Sequence, residues 1–175
     1  MQKISSFSRI VIVGTTGSGK TTLAKRISES YGIKRIELDA IQWLPNWQEI
    51  DKQEFVRLAA LAIEAETWVV DGNYRIVRDL IWTKADAIVW LDYSFPRNFR
   101  QLFVRSIRRL LTREELWAGN RESWRLFFSR KSILVWLFQT YWRRKRDYPQ
   151  LFADPKYSHL KVFRVAHPRE LDRYL

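Results

Sequence analysis

The feature that most constrains this chain is the glycine-rich run at positions 14–22. It reads G-T-T-G-S-G-K-T-T and keeps the spacing of glycines, lysine and threonine that wraps a loop around a phosphate. An apolar run at 9–13 precedes it, and a helical pattern begins near Lys20. Strand, loop and helix in this order predict a phosphate-binding loop, and with it an α/β fold.

Each residue type in this loop has a chemical reason. Glycine reaches backbone dihedrals that other residues avoid, so several N–H groups can point at one phosphate. The helix N-terminus adds partial positive charge. The Lys20 ammonium can reach the β- and γ-phosphates, and the Thr21 hydroxyl can bind Mg²⁺. We therefore expect ATP or GTP to bind through Gly14, Thr15, Thr16, Gly17, Ser18, Gly19, Lys20, Thr21 and Thr22.

Length and patterning predict one domain over residues 1–175. Of these residues 46% are apolar, enough for one core, and short apolar runs alternate with helical patterns, as in a parallel α/β sheet. No apolar run is long enough to cross a membrane, none precedes the first strand, and there is no cysteine. These features predict a cytoplasmic protein. We expect the remaining strands at 35–38, 67–70, 87–91 and 161–165, and a helix over 51–65.

The positive charge is concentrated in one region. The net charge is +12, and residues 97–146 hold fourteen Lys or Arg against three Asp or Glu. Such a field attracts nucleotide phosphates, nucleic acid or an anionic membrane face. The patterning predicts two helices here, the second from about Ser129 to Arg146, ending before Pro149.

The order of strands, loops and carboxylates resembles the adenylate kinase and shikimate kinase class of small P-loop kinases. Segments 14–22, 37–43 (E-L-D-A-I-Q-W) and 68–75 (W-V-V-D-G-N-Y-R) more narrowly resemble bacterial proteins described as adenylate kinase-related or DNA topology modulation proteins. The resemblance covers about residues 9–150. It implies a five-stranded parallel sheet of order 2-3-1-4-5, Mg²⁺ as cofactor, and an arginine-rich helical lid at about 97–146.

Two aspartates compete for the metal. Asp71 ends a strand that the resemblance places beside the loop strand, so with Thr21 it is the expected Mg²⁺ residue; the alternative is a turn aspartate before Gly72. Asp92 also ends an apolar strand, on the other side of the loop strand, and is the second choice.

The acceptor site is expected around Asp39 and Arg75. Asp39 is expected at the end of the second strand, where a carboxylate can orient a hydroxyl and take its proton; a helix cap is the alternative. The resemblance places Arg75 on an acceptor phosphate, but it is also explained as an exposed helix arginine. Asn73-Tyr74 replaces the Phe-Pro usual in adenylate kinases, which leaves the acceptor open.

The lid arginines are expected to close over the transferring phosphoryl group, with Gly119-Asn120 at the lid tip. A solvated helix face is the alternative for most of them. The candidates are Arg105, Arg109, Arg121 and Arg125.

Tryptophans interleave with the arginines of the basic region. This mixture suits base stacking on single strands or a membrane surface, but a buried amphipathic helix explains it more simply, so we expect packing. The residues are Trp117, Trp124, Trp136 and Trp142. Trp43 and Trp47, near Asp39, could instead stack on a flat acceptor.

Together these features predict a phosphotransferase that moves the γ-phosphoryl group of Mg·ATP to a small-molecule acceptor. One alternative is a nucleic-acid-binding P-loop ATPase or regulator that uses the basic region. The other is a nucleotide-gated protein that binds a membrane surface or a partner. The sequence leaves the acceptor and the oligomeric state open.

Overall fold

The computed structural model describes residues 3–175 and contains one five-stranded parallel sheet and a small antiparallel hairpin. The sheet order is β2-β5-β1-β6-β7, and β3 pairs with β4 in the hairpin. Counting only the five sheet strands, the order is the predicted 2-3-1-4-5. The strands are β1 (Arg9–Gly14), β2 (Lys34–Glu37), β3 (Trp43–Leu44), β4 (Gln48–Glu49), β5 (Trp68–Asp71), β6 (Ala87–Leu91) and β7 (Lys161–Val165).

Helices cover both faces of the sheet. The helices are α1 (Lys20–Tyr31), α2 (Leu38–Gln42), α3 (Lys52–Ala62), α4 (Arg75–Trp82), α5 (Phe95–Thr112), α6 (Trp124–Phe127), α7 (Ile133–Phe152) and α8 (Leu171–Tyr174). One face packs against α3, α4 and the end of α7; the other packs against α1 and α8. No helix within residues 3–175 has the length and apolarity needed to cross a bilayer.

The central strands are apolar because both of their faces are covered. Strands β5 and β6 are buried throughout, and β1 is buried after its first residue. Such strands carry continuous runs of β-branched residues instead of an alternating pattern. In the sheet register, Ile12 lies opposite Asp71, and Gly14 lies opposite Leu91. The loop after β1 therefore emerges between the carboxyl ends of β5 and β6, where α/β sheets bind ligands.

The prediction that the second basic helix ends before Pro149 is wrong, because this helix is α7 and it includes Pro149. The helix begins at Ile133, after Ser132 caps it, and continues through Pro149 to Phe152. A proline near the C-terminus of a helix removes one hydrogen bond. Aromatic packing offsets that loss, because Phe152 lies 5.7 Å from Trp82 and 5.5 Å from Trp90, between ring centroids.

The segment after β2 also differs from the prediction. Strand β2 ends at Glu37, so Asp39 lies in the first turn of α2 and not at a strand end. The stretch around Trp43 and Trp47, for which no strand was expected, forms the β3–β4 hairpin. In contrast, the helix expected over 51–65 is present as α3, and Asp51 caps it by accepting hydrogen bonds from the Gln53 and Glu54 backbone N–H groups.

Candidate functional site: a cleft at the glycine-rich loop

The glycine-rich loop is fixed from both sides. A Cβ atom on Gly14 would lie 2.8 Å from the Leu91 carbonyl oxygen, and one on Gly17 would lie 2.8 Å from the Leu102 Cβ. Gly17 and Gly19 have φ values of 78° and 89°, a region that residues with side chains rarely adopt. Glycine is therefore required at these positions, and the loop is held between β6 and α5 in front of the α1 N-terminus.

Lys20 lies at the start of α1 inside the cleft. Its Nζ donates a hydrogen bond to the Thr15 carbonyl oxygen at 3.1 Å. Burial, followed by repulsion from Arg144, lowers the pKa of Lys20 to about 8, while Asp71 and Asp39 act in the opposite direction. Lys20 thus lies among both the acidic and the basic groups of the site.

Asp71 is buried beside Lys20, with 1% of its surface exposed. The Thr21 hydroxyl donates to its Oδ1 at 3.4 Å, and its Oδ2 has no hydrogen-bond partner among residues 3–175. Burial raises the pKa of Asp71 to about 6, with Lys20 opposing the shift. A buried carboxylate oxygen without a partner is costly unless a ligand satisfies it.

Thr21 and Asp71 have the oxygen chemistry that Mg²⁺ requires. Within the described chain, no three His, Asp or Glu side chains cluster as a metal site. A Mg²⁺ ion here would therefore take most of its ligands from phosphate and water, as is usual for this ion in phosphoryl-transfer proteins. The hydroxyl of Thr21 and the free oxygen of Asp71 fit that arrangement.

Asp92, the second metal candidate, is already paired with two basic side chains. Its Oδ2 accepts hydrogen bonds from Arg164 at 2.9 and 2.6 Å, and its Oδ1 lies 3.4 Å from the Lys145 Nζ. The two strand-end aspartates are both buried but differ in their partners, since Asp92 has two cations and Asp71 retains an oxygen with no partner among residues 3–175.

The Asn73-Tyr74 pair connects three parts of the cleft. The Asn73 side chain donates to the Gly14 carbonyl oxygen, and its Oδ1 accepts from the Tyr148 hydroxyl at 3.0 Å. The Tyr74 hydroxyl donates to the Asp39 Oδ1. Burial and the adjacent Asp39 raise the pKa of Tyr74, which keeps it a neutral donor. These two residues therefore position the glycine-rich loop and Asp39.

Asp39 reaches the cleft because Gly72, which has no side chain, allows α2 to pack directly against the end of β5. A Cβ on Gly72 would lie 2.8 Å from the Leu38 Cβ, and Gly72 has φ 143°. Leu38 is fully buried against this glycine, and Asp39 follows it into the cleft. The charge of Asp39 influences the pKa of both Lys20 and Asp71, so the three groups share one site.

Two arginines approach this site from the helical region. Burial, followed by repulsion from Arg109, lowers the pKa of Arg105 to about 10, while Asp39 opposes the shift. Burial also lowers the pKa of Arg144, and Arg144 in turn lowers the pKa of Lys20. Within residues 3–175, neither arginine forms a salt bridge with a carboxylate, and the Arg105 Nε has no hydrogen-bond partner.

The other candidate arginines have different surroundings. Arg109 lines the cleft but lies 3.4 Å from Glu114 and 3.2 Å from Glu122. Arg121 and Arg125 are exposed and do not line the cleft; Arg121 lies 3.3 Å from Glu115. Arg75 is exposed at the first residue of α4 and does line it. The structure therefore brings Arg75, Arg105 and Arg109 to the cleft, but not Arg121 or Arg125.

The expected lid tip is docked onto the β3–β4 hairpin. The Asn120 side chain is buried, accepts from the Trp47 backbone N–H at 2.8 Å, and donates to the Leu44 and Trp117 carbonyl oxygens at 2.8 Å each. Trp47 has φ 56°, which is uncommon for a bulky residue and needs support from its surroundings. Asn120 provides that support, so the hairpin and the 117–120 segment form one continuous wall.

The cleft bounded by these elements has a volume of about 2230 Å³. A typical small-ligand site occupies roughly 300–1,000 Å³. The cleft therefore has room for a nucleotide and a second substrate. From the expected loop set, Thr16, Gly17, Gly19, Lys20, Thr21 and Thr22 line it, while Gly14, Thr15 and Ser18 lie beneath as buried support.

The sequence analysis missed Arg144 and the roles of Asn73, Tyr74 and Asn120. Arg144 has a detectable signal, because it lies on the helical stripe formed by the buried residues Leu137, Tyr141 and Tyr148. The two asparagines and Tyr74 make contacts between segments that are distant in the sequence, and such contacts cannot be predicted from a local sequence pattern.

The sheet order and the glycine-rich loop at the carboxyl end of β1 define the P-loop kinase fold. Among solved structures, the chain is similar to a gluconokinase from Sinorhizobium meliloti 1021, with a TM-score of 0.52 and 18% sequence identity over 95% of this chain and 86% of that one. At this identity the likeness establishes the fold. No protein-family model and no curated protein matches the sequence. The resemblance to topology modulation proteins remains a prediction.

Proposed function

We propose that this chain is a kinase that transfers the γ-phosphoryl group of Mg·ATP to a hydroxyl group of a small molecule. The observation that carries the proposal is the convergence of Lys20, Asp71 and Asp39 in one cleft, where the charge of Asp39 acts on the pKa of both Lys20 and Asp71. Lys20 and Asp71 belong to the phosphate side, and Asp39 faces them from α2.

On the nucleotide side, the loop N–H groups and Lys20 would hold the phosphates. Thr21 and Asp71 would hold Mg²⁺, which neutralises charge on the β- and γ-phosphates when bound. Nucleotide binding would draw the Lys20 Nζ from the Thr15 carbonyl to a phosphate oxygen. The added positive charge would also lower the pKa of Asp71 and favour its ionised form.

On the acceptor side, Asp39 would act as the base. Its Oδ1 accepts the Tyr74 hydrogen bond, which leaves Oδ2 free within the described residues to accept the proton of an acceptor hydroxyl. The hydroxyl oxygen would then bond to the γ-phosphorus as the bond to the ADP oxygen breaks. Positioned bases of this kind contribute about 10²- to 10⁴-fold in rate.

Arg105 and Arg144 would stabilise the charge on the phosphoryl group during transfer. Both are half-buried and line the cleft near Lys20, and neither is neutralised by a salt bridge within residues 3–175. Cations fixed in advance and shielded from water stabilise developing charge most effectively. Arg75 would contact a remote anionic group if the acceptor has one.

The direct test measures ADP release from Mg·ATP with a panel of nucleosides, nucleoside monophosphates, small polyhydroxy acids and oligonucleotides. We expect one small hydroxyl compound to stimulate release, with loss of activity in Lys20→Ala and a fall of about 10²-fold or more in Asp39→Asn. Release stimulated by oligonucleotides that are not themselves phosphorylated would contradict a kinase and indicate an ATPase that acts with nucleic acid.

A further inference from the structure

A continuous group of exposed aromatic side chains covers one side of the helical region. We define the aromatic surface as Phe103, Trp124, Phe128, Phe138 and Trp142. All five side chains are exposed, and the two most exposed are Trp142 at 65% and Phe128 at 78%. These exposures, together with the 45% exposure of Trp136, contradict the expectation that Trp124, Trp136 and Trp142 are packed. Proteins that act as free monomers rarely expose contiguous apolar patches of this kind.

The aromatic surface is connected through partly buried rings beneath it. Phe95 lies 6.1 Å from Trp142 and 5.0 Å from Phe138, between ring centroids. Phe99 lies 6.0 Å from both Phe138 and Phe103. Ring contacts through Phe127 then continue the surface to Phe128 and Trp124. The surface therefore spans α5, α6 and α7 without a break.

The segments that carry these rings are positively charged. Segments 95–111 and 124–146, which contain all five residues, hold twelve Lys or Arg. Four of these cations do not line the cleft, namely Arg125, Arg130, Lys145 and Arg146, and Arg146 also lies 3.3 Å from Asp147. Arg146 follows Trp142 by one helical turn and so shares its face, and Arg130 follows Phe128 by two residues. A second copy of this chain would bring the same positive charges together. The charge therefore favours an anionic partner over a homodimer.

The ring geometry favours lipid over single-stranded nucleic acid. Base stacking needs open ring faces. Here Trp142 stacks on Phe95, Phe103 on Phe99 and Phe128 on Trp124, with interplanar angles of 14°, 19° and 17°. Each of these contacts covers one of the two faces of the exposed ring, so a base could stack only on the other face. The exposed aliphatic residue Leu111, also on α5, cannot stack on bases but can enter a lipid interface.

We infer that the aromatic surface binds the face of an anionic lipid membrane, with the rings at the headgroup level and the surrounding arginines against the lipid charges. Aromatic and basic residues on one helical surface are the combination that binds such interfaces without crossing them. This inference is independent of the proposed kinase activity.

The test is co-sedimentation of the full chain with vesicles of phosphatidylcholine, alone or mixed with phosphatidylglycerol. We expect binding only to the anionic vesicles, weakening with salt. The double variant Phe128→Gln/Trp142→Gln should bind about ten- to a hundredfold more weakly. Arg130→Gln/Arg146→Gln should lose about fivefold for each charge removed. Leu61→Gln, at an exposed leucine on α3, is the matched control and should bind as the wild type does.

Circular dichroism separates loss of binding from loss of fold, and Phe128→Gln alone provides a milder variant because Phe128 is the most exposed ring. Three results would overturn the inference. They are no preference for anionic vesicles, equal losses in Leu61→Gln, and binding to a single-stranded oligonucleotide, or self-association, in place of vesicle binding.

Discussion

Replacing Asp71 by asparagine should stabilise the nucleotide-free protein. Burial raises the pKa of Asp71 from 3.8 to about 6, so the folded state disfavours the charged carboxylate. Between those two values the folded protein binds more protons than the unfolded chain. The contribution of Asp71 to the stability of the folded state is therefore largest at low pH, and it is lost as the pH rises through the window from 3.8 to about 6. Asparagine keeps the shape and has no charge.

The magnitude follows from the shift. A pKa change of about 2 units corresponds to about 3 kcal/mol, which is the upper limit of the gain in unfolding free energy at neutral pH. For a chain of this size, that gain would raise the melting temperature by roughly 6–12 °C. The oxygen of the introduced amide could still accept the Thr21 hydrogen bond, so the local contact survives the substitution.

Thermal unfolding followed by circular dichroism, across pH and without nucleotide, measures this gain. We expect Asp71→Asn to melt higher than the wild type at neutral pH, with the difference shrinking in acid. Asp92→Asn is the matched control and should melt lower, by about 1–3 kcal/mol in unfolding free energy, because it leaves Arg164 without its partner. A lower melting temperature for Asp71→Asn, or a gain independent of pH, would refute the reasoning.

Three further substitutions test the walls of the cleft. Arg144→Ala should lower kcat by about a hundredfold in the acceptor assay, whereas the exposed Arg121→Ala should change it little; equal effects would remove Arg144 from the site. Asn120→Ala should cost about 1–3 kcal/mol in denaturant unfolding and raise the acceptor KM, because two hydrogen bonds between the hairpin and the 117–120 segment, and one within that segment, are lost. Gly72→Ala should cost about 1–3 kcal/mol, because its methyl group would meet Leu38 at 2.8 Å; an unchanged melting temperature would contradict that contact.

The sheet and the phosphate loop could be predicted because their signals are local. A loop that surrounds a phosphate needs glycine at fixed positions, and a strand covered on both faces must be apolar along its length. The order of the five strands could be predicted only from the family resemblance, because the local sequence pattern of a strand does not determine its neighbours in the sheet. Asp71 could be placed beside Lys20 for the same reason, because it ends the strand that pairs with β1.

The features that could not be predicted from the sequence depend on contacts between segments that are distant in the chain. Pro149 does not end α7, because aromatic packing of Phe152 outweighs the lost hydrogen bond. Asp39 reaches the cleft from a helix and not from a strand end, because Leu38 packs against Gly72. Trp142 is exposed although its helix has a buried stripe, because it lies to one side of that stripe. None of these outcomes follows from one segment alone.

The most direct test of the kinase proposal follows the phosphoryl group itself. ATP labelled on its γ-phosphate is incubated with the protein, Mg²⁺ and the acceptor that best stimulates ADP release. We expect the label to appear in a phosphorylated small molecule in equal amount to the ADP formed, and to stay in ATP with Lys20→Ala. Label recovered only as free phosphate, with or without acceptor, would contradict the proposal that this cleft transfers a phosphoryl group between two substrates.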